Sequence, residues 1–291
     1  MEDMGRRVSQ HLIETDALQD SLDDPRLRVF DCSVTLTPTA EDPFARRSGR
    51  DAWLRGHVPG AGFLDLEGEY SAASPIGLHY ALPDPQTFAS LAGGAGIGPN
   101  AMVVLYSSGH PMWATRVWWM LRVYGFDNAL VLNGGWERWV REGRPQAVGE
   151  STYSPDVFPL RWRPELYADK DRVAAAVAYG DAVLVNTLTH KQHQGGGLHY
   201  GRPGRIPGSM CVPALSLTDR STGNFLPIET LRSAMQDVLD LEKPVISYCG
   251  AGIAAACGAF VLSVLGREDV AVYDGSLEEW SRDALLPMEN G

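Results

Sequence analysis

The stretch PVISYCGAGIAAACGAFVLSVLGREDVAVYDGSLEEW, residues 244–280, decides how this chain is organised. Its pattern is an apolar strand, a glycine-containing loop, an apolar helix, a glycine turn, a second strand and a turn that ends in tryptophan. Residues 102–139, MVVLYSSGHPMWATRVWWMLRVYGFDNALVLNGGWERW, show the same order, and Tyr106 takes the place of Tyr248. This likeness indicates an internal repeat.

Two earlier segments extend the repeat. GHVPGA at 56–61 matches GRIPGS at 204–209, and DALQDSLDDPRLRVFD at 16–31 matches DRVAAAVAYGDAVLVN at 171–186. The matches follow one another in the same order in both halves. Such agreement favours duplication of one domain over coincidence.

Each half alternates helical segments with short, continuously apolar strands. Uninterrupted apolar runs bounded by turn residues are typical of a parallel sheet that is covered on both faces. We therefore predict an α/β fold made of two domains, each a parallel sheet flanked by helices. The predicted strands are LRVFD, MVVLY, ALVLN, AVLVN, PVISY and VAVYD.

A segment without apolar periodicity separates the halves and has the composition of a linker. We place the first domain at 1–143, the linker at 144–166 and the second domain at 167–291. The linker contains Pro145, Pro155, Pro159 and Pro164.

Composition excludes several classes of function. The chain has 291 residues, 36 Asp and Glu against 25 Lys and Arg, and a net charge of −11, which argues against a nucleic-acid partner. It has no apolar run long enough to span a bilayer, and its first residues, MEDMGRRVSQHLIETD, are too polar for a signal peptide. We expect a cytoplasmic protein with no membrane partner.

Four cysteines are too few for a disulfide framework, and their spacing does not fit a structural zinc site. We therefore expect free thiols and no metal. These cysteines are Cys32, Cys211, Cys249 and Cys257.

Cys249 stands where an apolar strand passes into a helix. Ligands of parallel sheets bind beyond the carboxyl ends of the strands, and two nearby glycines allow the backbone to fold around the sulfur. The loop amides and the positive end of the helix would then stabilise a thiolate or a bound anion. A small, buried structural cysteine is the alternative interpretation of this short motif. The predicted anion-binding loop consists of Gly250, Ala251, Gly252, Ile253 and Ala254.

These motifs, in this order and in both halves, resemble the tandem rhodanese family, which includes thiosulfate and 3-mercaptopyruvate sulfurtransferases. The resemblance covers nearly the whole chain and is specific at GHVPGAGFLDLEGEY and RVWWMLRVYGFDNALVLNGGW. It implies that Cys249 accepts a sulfane sulfur as a persulfide, while Ser107 marks the position where the first domain has no cysteine. A small donor would supply the sulfur, and cyanide or a thiol, either thioredoxin-like or of low molecular weight, would remove it without a metal or organic cofactor.

The chain departs from the family at its predicted donor-binding positions. The family's mercaptopyruvate enzymes have serine and threonine in the cysteine loop, where this chain has Ala251 and Ala254, so the histidine at the family position, His57, lacks a hydroxyl partner. Leu188 and Gln192 occupy positions where family members use arginine. Loop residues that could compensate by binding an anionic donor are Arg202, Arg205 and Lys191, although solvated loop charges are the alternative interpretation.

Two other classes of function compete with sulfur transfer as interpretations of the sequence. A binding or sulfur-relay protein with little turnover of small anionic donors would fit these departures. A cysteine-dependent phosphatase would need arginine six positions after its cysteine, where this chain has Ala255, so that function is set aside.

Overall fold

The computed structural model describes residues 11–291. In chain order its strands are β1 (Leu12–Ile13), β2 (Leu27–Asp31), β3 (Val34–Leu36), β4 (Arg46–Ser48), β5 (Gly62–Phe63), β6 (Met102–Tyr106), β7 (Ala129–Leu132), β8 (Tyr167–Ala168), β9 (Val183–Asn186), β10 (Met210–Cys211), β11 (Val245–Tyr248) and β12 (Val270–Tyr273). The α-helices are α1 (Thr15–Asp20), α2 (Arg50–Arg55), α3 (Pro85–Gly94), α4 (Met112–Val123), α5 (Gly135–Arg141), α6 (Lys170–Tyr179), α7 (His190–His193), α8 (Ile228–Leu239), α9 (Ile253–Val264) and α10 (Ser276–Trp280).

Each half forms a five-stranded sheet in which every pairing is parallel. The strand order is β1-β7-β6-β2-β5 in the first half and β8-β12-β11-β9-β10 in the second. Corresponding strands of the repeat therefore occupy corresponding places. The predicted fold class is confirmed, and all six apolar segments form strands.

A small antiparallel hairpin interrupts the first repeat. Strands β3 and β4 pair with Val34 opposite Ser48, outside the main sheet. The segment between them, residues 37–45, is called the hairpin tip below.

The two domains share one hydrophobic core along α4 and α9, the helices that follow the central strands β6 and β11. Trp118 of α4 and Phe260 of α9 are both fully buried, with ring centroids 4.9 Å apart in an edge-to-face arrangement. Such aromatic pairs add to the free energy that is gained by burying their area. The domains are therefore held together by α4 and α9, each of which follows the loop after its domain's central strand.

Residues 144–163 contain neither helix nor strand, and Pro164–Leu166, the last residues of the predicted linker, form a short 3₁₀ helix. The segment lies against the first domain, because the amide of Asp156 donates to Gly93 O (2.8 Å) and that of Arg161 to Tyr124 O (2.8 Å). The domain limits remain predictions.

Within residues 11–291, the helices are too short or too polar to cross a bilayer. Most of the segment interpreted as too polar for a signal peptide, residues 1–10, lies outside the described part of the chain.

Candidate active site

Cys249 lies at the carboxyl end of β11, the central strand of the second sheet, directly before α9. The residue is only 2% exposed. Gly252, which precedes the helix, has φ of 75°, and a Cβ there would lie 2.8 Å from Arg116 Nη1. The turn thus needs glycine for both conformation and space. Residues 249–254 are called the cysteine loop below.

Ser276 holds the cysteine loop in shape. Its Oγ accepts hydrogen bonds from the amides of Cys249 (3.0 Å) and Gly252 (3.2 Å) and donates to Tyr273 O (2.8 Å). The residue is buried and left-handed, with φ of 49°, a conformation that costs energy in any residue with a Cβ. Ser276 therefore links the start of α10 to the cysteine loop, and its three hydrogen bonds are together called the serine bracket below.

This bracket corrects one expectation about the loop amides. The amide of Gly252 donates to Ser276 and is not free to bind an anion. For the other four predicted amides no acceptor is described within residues 11–291, and α9 adds the positive end of a twelve-residue helix. The remaining candidates for anion binding are the amides of Gly250, Ala251, Ile253 and Ala254.

The first domain lacks both the thiol and the bracket. Ser107 follows β6 as Cys249 follows β11, and its Oγ donates to His110 O over 2.9 Å. Gly135, with φ of 54°, stands where the second domain has Ser276, so the same left-handed turn carries no hydroxyl. Only one of the two loops therefore combines a thiol with a serine bracket.

A buried ion pair joins the domains behind the cysteine loop. Arg116 Nη2 donates to Asp274 Oδ1 (2.6 Å) and to Tyr80 O (2.5 Å), and the Arg116 side chain is fully buried. Asp274 Oδ2 also accepts the amide of Leu82 over 3.0 Å. The first domain thus contacts the residue that leads into the Ser276 turn.

Charged groups beside the loop are paired with opposite charges. Glu278 Oε1 contacts His79 Nδ1 (2.6 Å) and Arg282 Nη2 (2.9 Å), while the Glu278 amide donates to Gly250 O (2.8 Å). Because a carboxylate faces each of these basic groups, they offer a small anion less attraction than unpaired ones would.

The three predicted donor-binding side chains make structural contacts elsewhere. His57 is buried, its Nδ1 lies 2.9 Å from Trp53 O, and its ring stacks on Trp53. Arg202 donates to Ser281 O, Asp283 O and Leu286 O, whereas Arg205 pairs with Glu289 and donates to Gly291 O. The contacts described for these side chains do not bring them to the cysteine loop. Donor binding by them stays a prediction.

The residues that replace the family's arginines also have local roles. Gln192 forms a capping box with Thr189 at the start of α7, and the amide of Leu188 donates to Asn186 Oδ1 over 3.0 Å. Residues 190–193 form this short helix. Within residues 11–291 the His, Cys, Asp and Glu side chains include no group of three or more that could hold a metal ion.

The other three cysteines are held as neutral thiols. Burial raises the pKa of Cys211 to about 11 and that of Cys257 to about 12, and it raises the pKa of Cys32 well above its usual range. The free cysteines at these positions are thus poor nucleophiles at neutral pH.

Sequence reasoning missed Ser276 and Arg116. It also missed two aromatic residues, Tyr200, which lies against Gly250, and Phe44, which stacks on Tyr200. Only Ser276 could have been found from the repeat, because aligning DGS (274–276) with NGG (133–135) places Ser276 opposite Gly135. Phe44, Tyr200 and Arg116 lack such a signal because their partners are far away in the chain.

Comparison with known proteins agrees with this geometry. The Rhodanese-like domain model matches residues 14–142 and 173–283. The chain is 30% identical to Escherichia coli 3-mercaptopyruvate sulfurtransferase over 95% of this chain and 97% of that protein. It is 33% identical to rat (Rattus norvegicus) thiosulfate sulfurtransferase over 89% of this chain and 86% of the relative. The crystal structure of the E. coli 3-mercaptopyruvate sulfotransferase SseA superposes with a TM-score of 0.79 at 27% identity, covering 91% of this chain and 98% of that one.

Proposed function

This chain belongs to the rhodanese-like family of sulfurtransferases, and on that premise we propose that it carries the transferred sulfur on Cys249. The donor is a small sulfur compound, thiosulfate or 3-mercaptopyruvate, which are the compounds named for its relatives. The acceptor is cyanide or a thiol, either of low molecular weight or on a thioredoxin-like protein.

One observation carries this assignment. Cys249 lies at the start of α9, inside a loop whose amides at Gly250, Ala251, Ile253 and Ala254 have no acceptor described among residues 11–291. Amides that converge at a helix N-terminus stabilise negative charge, as a thiolate or a persulfide requires. The other thiols lack this setting, and burial holds them protonated.

The transfer proceeds in two displacements. The Cys249 thiolate attacks the outer sulfur of the donor, and the bond to that sulfur breaks with its electron pair leaving on sulfite or on pyruvate enolate. The acceptor then attacks the outer sulfur of the persulfide, and the electron pair of the S–S bond restores the Cys249 thiolate. Atoms and electrons balance, so the cycle needs no external oxidant or reductant.

Intact-mass measurement tests the proposal directly. Protein incubated with thiosulfate or 3-mercaptopyruvate should gain one sulfur atom, and addition of cyanide should remove it as thiocyanate. Cys249→Ser should abolish both signals, whereas Cys211→Ser, which removes a half-buried thiol of the same domain, should retain them. Absence of the added sulfur with either donor, or its retention in Cys249→Ser, would overturn the assignment.

A sulfur-relay function is the second candidate, and the uncharged loop favours it. Ala251 and Ala254 provide no charge, and the nearby carboxylate of Glu278 pairs with His79 and Arg282. A relay would accept sulfur on Cys249 but release little of it to cyanide. Stable loading without thiocyanate formation, followed by transfer to a protein thiol, would identify the relay.

A cytoplasmic location completes the proposal. It is supported by the four free cysteines, of which Cys211 is half-buried and the others are buried, since unpaired thiols persist in reducing compartments. Cell fractionation with an antibody to the chain tests it.

A further inference from the structure

The position of Cys249 raises a question of access. The reaction proposed above requires a donor sulfur to approach Sγ, yet the residue is only 2% exposed. Some group that covers it must therefore move during each cycle or leave only a narrow passage. Tyr200 lies against Gly250 of the cysteine loop, and Phe44 of the other domain stacks on Tyr200.

Tyr200 lies directly on the loop. Three of its ring carbons lie 2.0–2.4 Å from the place where a Cβ of Gly250 would stand, so the ring rests flat against that glycine. Burial, with a smaller contribution from Cys249, raises the pKa of the Tyr200 hydroxyl above its usual range, in keeping with a short distance to the sulfur.

The backbone around Tyr200 is anchored. Ser281 Oγ donates to Tyr200 O over 2.9 Å, and a Cβ on Gly201 would collide with the same Oγ at 2.1 Å. Two residues further on, Arg202 donates to three carbonyl oxygens of the C-terminal segment. Tyr200 is thus a fixed wall of the site.

Phe44 covers Tyr200 from the other domain. The two rings stack with centroids 4.4 Å apart and an interplanar angle of 27°. Phe44 belongs to the hairpin tip, and both partners of every hydrogen bond described for residues 37–45 lie within residues 37–46. Apart from the hydrogen bond that Arg46 Nη1 donates to Phe44 O (3.0 Å), the tip can therefore move as a unit without losing a described hydrogen bond to the rest of the protein.

We propose that Phe44 and Tyr200 determine the size of the donors and acceptors that reach Cys249. Tyr200 forms the fixed wall, and Phe44 forms the movable cover that a bulky molecule must displace. Small donors pass with less displacement, so the pair selects against large organic persulfides, and an acceptor thiol on a protein must displace Phe44 to reach the sulfur. The inference rests on the proposed function only in taking Cys249 as the reacting thiol.

Alkylation measures access without requiring sulfur transfer. The full chain is treated with iodoacetamide, a small reagent, or with fluorescein maleimide, a bulky one, and modification at each cysteine is followed by peptide mass spectrometry. Phe44→Ala should speed modification of Cys249 by the bulky reagent by about threefold to tenfold, the range expected for loss of one aromatic stack, and should affect iodoacetamide less. Leu36→Ala, at a 56% exposed position on the same hairpin, should leave both rates unchanged.

Equal acceleration by both reagents, acceleration at Cys211 as well, or no acceleration at all would overturn the proposal. Circular dichroism verifies that the variant is folded, and Phe44→Leu, which keeps an apolar side chain but removes the stacked ring, replaces Phe44→Ala if the latter does not fold. Failure of the sulfur-loading assay with a positive alkylation result would refute the proposed function alone. Normal loading with unchanged alkylation rates would refute only the size selection.

Discussion

Arg116 of the first domain and Asp274 of the second form an ion pair of 2.6 Å that lies behind the cysteine loop. Arg116 Nη1 also lies 2.8 Å from the place that a Cβ of Gly252 would occupy, so the guanidinium fills the space against the loop. Asp274 is two residues before Ser276, whose hydroxyl binds the loop amides. The first domain, although it has Ser107 where the second domain has Cys249, therefore supports the residues that shape the cysteine loop.

Replacing Arg116 with methionine should lower the free energy of unfolding by about 3–5 kcal/mol, because the Asp274 carboxylate would stay buried without its partner. Urea denaturation followed by tryptophan fluorescence measures this change. Arg26→Met is the matched control, since Arg26 pairs with Asp24 at the surface with 67% of its side chain exposed. That control should leave the free energy of unfolding nearly unchanged, because solvent screens an exposed pair. Equal effects of the two substitutions would contradict the role given to the buried pair.

Ser276→Gly should slow sulfur transfer by about tenfold or more while the protein stays folded. Glycine adopts the left-handed turn without strain, as Gly135 does in the first domain, but it leaves the amides of Cys249 and Gly252 without their shared acceptor. Steady-state kinetics of thiocyanate formation should show the loss mainly in kcat. Ser107→Gly, in the loop without a thiol, is expected to keep the wild-type rate. A Ser276→Gly enzyme with wild-type kcat would show that the bracket does not position the loop.

Ala251→Ser tests whether a missing hydroxyl limits activity with 3-mercaptopyruvate. The family pattern predicts a gain, but His57, the histidine expected to complete a proton relay, is buried with its Nδ1 2.9 Å from Trp53 O. We therefore expect kcat/KM with this donor to change by less than about threefold, well below the gain typical of acid–base catalysis. Pyruvate release measures it, with thiosulfate as the comparison donor. A hundredfold increase would show that a relay assembles despite this position of His57.

The sequence allowed the sheets, and the position of Cys249 at a strand end, to be predicted because their signals are local. Strands such as β6 and β11 are buried on both faces and so appear as unbroken apolar runs, and Cys249 directly follows one of them. Because the domain is duplicated, each matched strand or helix of one half supports the prediction of its counterpart in the other half.

The surroundings of the thiol could not be predicted in the same way. Phe44 and Tyr200 meet across the two domains, and no local pattern connects a hairpin tip with a loop so far along the chain. Arg202 and Arg205 were expected to bind a donor, but their partners are carbonyl and carboxylate oxygens of the C-terminal segment. Ser276 has a left-handed backbone conformation that serine rarely adopts, and in the sequence only its alignment with Gly135 indicates such a turn.

His110 should make the stability of the chain fall as the solution is acidified. Burial lowers its pKa to about 4, and its Nδ1 accepts the amide of Met112 (3.1 Å), a bond that the protonated ring cannot accept. An unfolded histidine titrates near about 6.5, so the unfolded state binds a proton first as the pH falls. The free energy of unfolding should therefore be fully retained above about pH 6.5 and decrease by roughly 3 kcal/mol through about pH 4. Urea titrations at several pH values should show this slope removed in His110→Asn, whose amide oxygen still accepts the Met112 amide, and parallel curves for the two proteins would contradict the assignment.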